Sequence, residues 1–388
     1  MEFNRRNAIM FVVGVLGGAG AVYTLVYLRK MLRKSSKRAT IEQLTDGISL
    51  ETLKKLSEVP NVSIRQCARG VLTARALKPE CLRFLIQLCY AEDEESVLKA
   101  CTVLEFLTKN AKCRARVIYL GALEALSHAI YRSWTKRNKG EIFNDDEKIQ
   151  HLACVAIFDL INDADDDTPK IHLLDKNPSF VPTILAIMKA THNRDIEKWG
   201  LYLIHQIAVC EATRDELCQH WVVIEVVSKL VVKSQGEPLR LRLALQVLVT
   251  LANILMANDE ANVLQEIRSY GVIMPTIGCL KSENRELIYW AVGLLHEFVA
   301  LDIALPEICA VPILLRSLYS VLISNEASIQ RLVLRVLRFL CQSSDDFKAK
   351  TTHNKHLLAR LPTCLASGDR DVTSWSLYLI HDIATSGM

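Results

Sequence analysis

Beyond Thr40 the chain repeats one pattern of apolar and polar positions. Trp199 opens WGLYLIHQIAV, Trp290 opens WAVGLLHEFVA and Trp375 opens WSLYLIHDIAT, with His205, His296 and His381 each six residues after the tryptophan. Weaker copies open at Leu243 (LALQVLVTLAN), Leu332 (LVLRVLRFLCQ) and Leu152 (LACVAIFDLIN), and the faintest fall near Lys99 and Arg65. With the anchor residue as position 0, positions +2, +4, +5 and +8 are apolar in the five copies from Trp199 onward, as in Leu201, Leu203, Ile204 and Ile207. At about 100° per residue these positions make one stripe, while +3, +6 and +7 make a polar face at roughly 240–340°, with the anchor at its edge. The pattern therefore predicts a helix at each copy, with its stripe buried and its polar face outward. Successive anchors lie 34, 53, 47, 44, 47, 42 and 43 residues apart. Helical repeats of this length stack into a solenoid, and stacking turns the polar faces into a groove suited to extended partners.

The segments ahead of these helices carry a family likeness. Tyr270-Gly271-Val272-Ile273-Met274-Pro275 and Leu120-Gly121-Ala122-Leu123-Glu124-Ala125-Leu126 resemble the Gly-x-Ile-Pro-x-Leu start of an armadillo second helix. Pro182, Pro312 and Pro362 sit at matching places, where proline suits a first helical turn. The long 53-residue spacing is explained by a polar insertion, residues 134–148, expected as a long loop. The expected fold is all-α: an armadillo/HEAT-like right-handed superhelical solenoid of about seven to eight repeats over residues 41–388, preceded by a single transmembrane helix.

The groove so predicted comprises Trp199, Tyr202, His205, Gln246, Trp290, His296, Glu297, Arg335, Arg338, Trp375, Tyr378 and His381. Aromatic residues recurring beside polar ones along one face suit a protein partner. Nuclear-import armadillo proteins place an Asn four residues after the groove Trp, whereas Leu203, Leu294 and Leu379 stand there, so nuclear-signal recognition does not transfer.

The N-terminus has a different character. Residues 8–28 (AIMFVVGVLGGAGAVYTLVYL) hold no charge, and as a helix would span about 31 Å, close to the hydrocarbon core of a bilayer. A short tail, residues 1–7, precedes this segment and a basic linker, residues 29–40, follows it. The excess of cations on the linker side predicts an anchor that keeps the remainder cytosolic. A cleaved signal peptide is the competing reading, because Ala19-Gly20-Ala21 resembles a cleavage site, but apolar residues continue to Leu28 and end in cations. Gly14 and Gly18 form G-x-x-x-G, which lets two membrane helices approach and gives a route to homo-oligomers.

Composition narrows the function further. Residues 1–38 carry a net +7 against +4 for the whole chain, so the folded part is slightly acidic and no nucleic-acid footprint is expected. Only 15 Gly and 10 Pro occur, too few for a many-hairpin β fold. The 12 cysteines include no C-x-x-C and sit mostly in apolar helical runs, which suits reduced core thiols in a reducing compartment. The aligned histidines fall on alternate repeats, roughly 20 Å apart by the spacing of packed helices, too far to share a metal. Asp163-Ala-Asp165-Asp-Asp167 lacks the Gly and closing Glu of a calcium loop and reads as an acidic inter-helix loop. With no P-loop, G-x-S-x-G or H-E-x-x-H, neither enzyme activity nor a cofactor is expected.

An N-terminal anchor followed by armadillo repeats resembles the mitochondrial armadillo-repeat family that includes the armadillo-containing X-linked proteins. The resemblance implies an adaptor on the mitochondrial outer membrane, favoured here over the endoplasmic reticulum, that acts on organelle movement or clustering through protein partners. The alternative is a self-associating membrane tether acting through Gly14 and Gly18. A lumenal or secreted solenoid would require signal cleavage and disulfides.

Overall fold

The computed structural model describes residue 53 and residues 57–385, apart from 59, 61, 77, 139–144, 163–165, 219–220 and 325. The predicted membrane span 8–28 with Gly14 and Gly18, the tail 1–7 and the basic linker 29–40 lie outside the described residues. Among the described residues no helix is long and apolar enough to cross a membrane, and there is no strand.

The chain divides into two compact units between Asn177 and Pro178. The first contains α1 (Val62–Ala76), α2 (Pro79–Leu88), α3 (Glu94–Thr108), α4 (Ala111–Tyr119), α5 (Ala122–Asn138), α6 (Asp146–Ile161) and α7 (Thr168–Lys176). The faint copies of the pattern fall on α1, α3 and α6, and α6 packs against both α3 and α5. The insertion at 134–148 is not a long loop. Trp134 to Asn138 continue α5 and Asp146 to Lys148 open α6, so only the residues between those helices connect them. Their polar character suggests a loop, yet Trp134 is half-buried near the end of α5 and Asp146 is buried at the start of α6.

The second unit contains α8 (Phe180–Ala190), α9 (Arg194–Val209), α10 (Glu211–Cys218), α11 (Val222–Lys233), α12 (Pro238–Ser269), α13 (Ile273–Cys279) and α14 (Arg285–Ala300). It continues with α15 (Leu305–Cys309), α16 (Leu314–Leu322), α17 (Ala327–Ser343), α18 (Asp345–Thr352), α19 (Lys355–Leu365) and α20 (Arg370–Ala384). The pattern copies lie on α9, α12, α14, α17 and α20, and each packs on the next in that order. Helices α11, α13, α16 and α19 back α12, α14, α17 and α20, making a second layer.

Local chemistry fixes where these helices begin. Asn193, Asn284 and Asp369 each stand six residues before a pattern tryptophan, and each caps the helix that carries it. The Asn193 side chain accepts from the N–H groups of Asp195 and Ile196, that of Asn284 from Leu287, and that of Asp369 from Asp371 and Val372. A side-chain oxygen there satisfies backbone donors that have no partner within the helix. Gly121 and Gly271 have φ of +90° and +75°, a left-handed bend just before α5 and α13 that glycine adopts without steric cost. Pro182 and Pro275 lie in the opening turns of α8 and α13 as expected. Pro362 departs from the expectation, sitting inside α19, which begins earlier because Asn354 caps it at Leu357.

The apolar stripe is the core. Leu201, Leu203, Ile204 and Ile207, and their counterparts Leu245, Val247, Leu248 and Leu251 on α12, are fully buried. So are Val292, Leu294, Leu295 and Phe298 on α14, and Leu334, Val336, Leu337 and Leu340 on α17. The stripe breaks on α20, where Leu377 at position +2 is 54% exposed although Leu379 is buried. Helix α20 packs on α17, α18 and α19, and none of these covers that side.

Candidate functional site

The outward face of α9, α12, α14, α17 and α20 resolves into three side-chain clusters. The first lies on α9 and α12. Trp199 and Tyr202, one turn apart, hold their rings 5.3 Å apart at 44°, and Lys198 Nζ stands 5.4 Å over the indole. His205 Nε2 lies 3.0 Å from Gln246 Nε2, while Arg242 Nη1 donates to Gln246 Oε1 at 3.4 Å. Burial, and then the charge of Arg242, lower the His205 pKa from its ordinary value. The neutral ring accepts at Nε2 from the Gln246 amide, which fixes its tautomer.

The second cluster is a cleft of about 410 Å³ lined by Arg242, Gln246, Arg285, Glu286, Tyr289, Trp290, Glu326 and Ser328. Trp290 meets Tyr289 edge-on at 5.1 Å. Its charges are paired: Arg242 with Glu286 at 3.2 Å and Arg285 with Glu326 at 2.5 Å. Aromatic faces, an amide and a hydroxyl under a rim of balanced charge can grip an extended chain without selecting its charge.

At the C-terminal end, α17 and α20 build the third cluster. Arg335 lies over the Trp375 ring at 5.2 Å, and Arg338 lies 5.5 Å from Trp375 and 4.7 Å from Tyr378. Trp375 and Tyr378 meet edge-on at 5.6 Å. Arg338 Nε donates to Asp382 Oδ2 at 2.9 Å. His381 is exposed, with Nδ1 at 3.4 Å from Asp382 Oδ1.

Two expected groove residues are not on this surface. His296 and Glu297 are only 6% and 9% exposed, with His296 Nδ1 at 3.1 Å from Glu297 Oε1 and its ring edge-on to Phe339 at 5.8 Å. Phe339 occupies position +7 of the next copy, where other copies are polar, and its ring packs against His296. The histidines therefore do not form one column: His205 is half-buried, His296 buried and His381 exposed. Leu203, Leu294 and Leu379 are fully buried, so a groove amide is absent at those three positions.

The sequence reading missed Arg242, Arg285, Glu286, Tyr289, Glu326 and Ser328. The periodicity held a signal for four of them. Positions −1 and −4 fall at about 260° and 320°, within the same polar arc one turn earlier. Arg242 and Tyr289 are at −1, Glu286 and Ser328 at −4. Among the described residues no group of three or more His, Cys, Asp or Glu side chains could hold a metal ion, and the described cysteines are free thiols.

No family model and no curated protein matches this chain. Solved structures do. A structure concerning the interaction between cadherin and beta-catenin, and the phosphorylation switch that controls it, matches with a TM-score of 0.63 at 18% identity, covering 89% of this chain and 66% of that one. A designed armadillo repeat protein matches with a TM-score of 0.51 at 14% identity, over 67% of this chain and 99% of its own. A computationally designed armadillo repeat protein for modular peptide recognition gives 0.50 at 14%, over 66% and 99%. At these identities the likeness is one of fold, and it agrees with the stacking of successive pattern helices within each unit. Among its described residues, the chain is an all-helical protein of armadillo-repeat fold.

Proposed function

We propose that this chain is a non-catalytic scaffold that binds an extended segment of a protein partner along the outward face of α9, α12, α14, α17 and α20 in its second unit. In this reading residues 8–28 anchor it at an organelle surface, the mitochondrial outer membrane in preference to the endoplasmic reticulum. The observation that carries the proposal is the recurrence of Trp199, Trp290 and Trp375, each half-buried beside a tyrosine, on helices α9, α14 and α20. Aromatic anchors flanked by polar groups supply most of the energy at protein interfaces. One of the similar folds was designed for modular peptide recognition, which supports the same use of this face.

The test replaces Trp199, Trp290 and Trp375 together by Ala, after circular dichroism has shown that the helices survive. Loss of specific co-purifying proteins is expected, and an unchanged set refutes the binding face. The anchor is tested separately with a C-terminal tag and protease treatment of intact organelles. A tag in the mitochondrial fraction and digested without detergent is expected, whereas a protected or glycosylated tag refutes the orientation.

A further inference from the structure

Three arginines lie along one strip of α17, and α20 supplies carboxylates for only two of them. Arg331 Nη1 donates to Asp371 Oδ2 at 2.9 Å, and Arg338 Nε donates to Asp382 Oδ2 at 2.9 Å. Asp382 also accepts from Gln342 Nε2 at 2.8 Å, so it is already shared. Arg335, between the two, makes no hydrogen bond or ion pair among the described residues. Its guanidinium is held over Trp375, and its Nε is withdrawn from solvent without an acceptor.

We propose that this corner receives a carboxylate side chain of an extended, acidic partner segment, with Arg335 as the receiving cation. The proposal rests on the reading of the α9–α20 face as the partner surface, and adds the chemistry of what binds there. A buried N–H without an acceptor is costly, and a carboxylate supplies the missing one. The guanidinium fork matches a carboxylate in two parallel hydrogen bonds, and stacking on the indole holds it in place beforehand. The cleft beside Trp290 serves as the internal contrast, since both of its arginines already have glutamate partners. The preference for acid is therefore local to the α17–α20 corner, where three guanidinium groups face two carboxylates.

The test exposes the full chain, held in detergent, to random peptides displayed on phage. Selected peptides are expected to be enriched in Asp and Glu, with binding that weakens as salt rises. Arg335→Gln should weaken them about tenfold or more, the scale of one charge-assisted hydrogen bond. Arg335→Lys, which keeps charge but loses the fork, should fall between. Thermal melts by circular dichroism confirm that each variant is folded. Peptides without acidic enrichment, or acidic ones that bind Arg335→Gln as well as the parent, overturn the acidic subsite. If those peptides still weaken with Trp290→Ala, the partner face itself stands. Peptides indifferent to all three tryptophan replacements, or no selection above background, overturn the partner face and this inference together.

Discussion

Helices α9 and α12 are joined by a buried charge cluster whose removal has a calculable cost. Glu197 is almost wholly buried; its Oε1 accepts from Lys233 Nζ at 2.7 Å and its Oε2 from Arg240 Nη1. Arg240 is also buried and donates to Glu237 at 2.9 Å. Removing one partner of a buried pair costs about 3–5 kcal/mol, because the other is left charged without compensation. Since Glu237 remains on Arg240, Glu197→Met should fall near the lower end, about 3 kcal/mol. Arg240→Met leaves Glu197 with Lys233 and should cost about 2–3 kcal/mol. Replacing both by Met removes the charges together and refills the space. That double variant should cost no more than the milder single one, so the coupling should be about 3 kcal/mol or more. Urea titration of the full chain by circular dichroism measures the cycle, and amide exchange in α9 and α12 shows whether the loss is local. Costs that add to within about 0.5 kcal/mol would refute the reasoning, since independent sites add and a shared desolvated pair does not.

Other consequences follow from single sites. The lowered pKa of His205 means that the unfolded chain takes up its proton first as pH falls. Its contribution to stability is therefore full above its ordinary value of 6.5 and lost below it, and His205→Gln should flatten the stability profile measured between pH 7 and 5. Phe298 is fully buried in α14, so Phe298→Ala should cost about 3–5 kcal/mol in denaturant titration. Burial pushes the Cys154 thiol to about 12 and those of Cys279 and Cys341 to about 11. In the native protein iodoacetamide should modify the half-buried Cys81 and Cys309 before Cys154, as read by peptide mass spectrometry; early labelling of Cys154 would contradict its burial.

The sequence alone determined the helical class, the repeat length and the core stripe, because a 3.6-residue period with one apolar face has few other ways to hide that face. Asn193, Asn284 and Asp369 were equally available, at a constant six residues before each tryptophan. Tertiary structure alone decided which polar residues stay on the surface. His205, His296 and His381 share one position in the pattern, yet His296, with Phe339 of the neighbouring helix packed against it, is buried while His381 remains open. Tertiary packing also set the charge partners, joining residues about forty apart, such as Arg338 to Asp382 and Arg240 to Glu197. It likewise left Arg335 without one. Periodicity reports the angle of a side chain about its own helix axis. Burial and pairing depend on the size and charge of what the next helix places opposite, and no single helix carries that information.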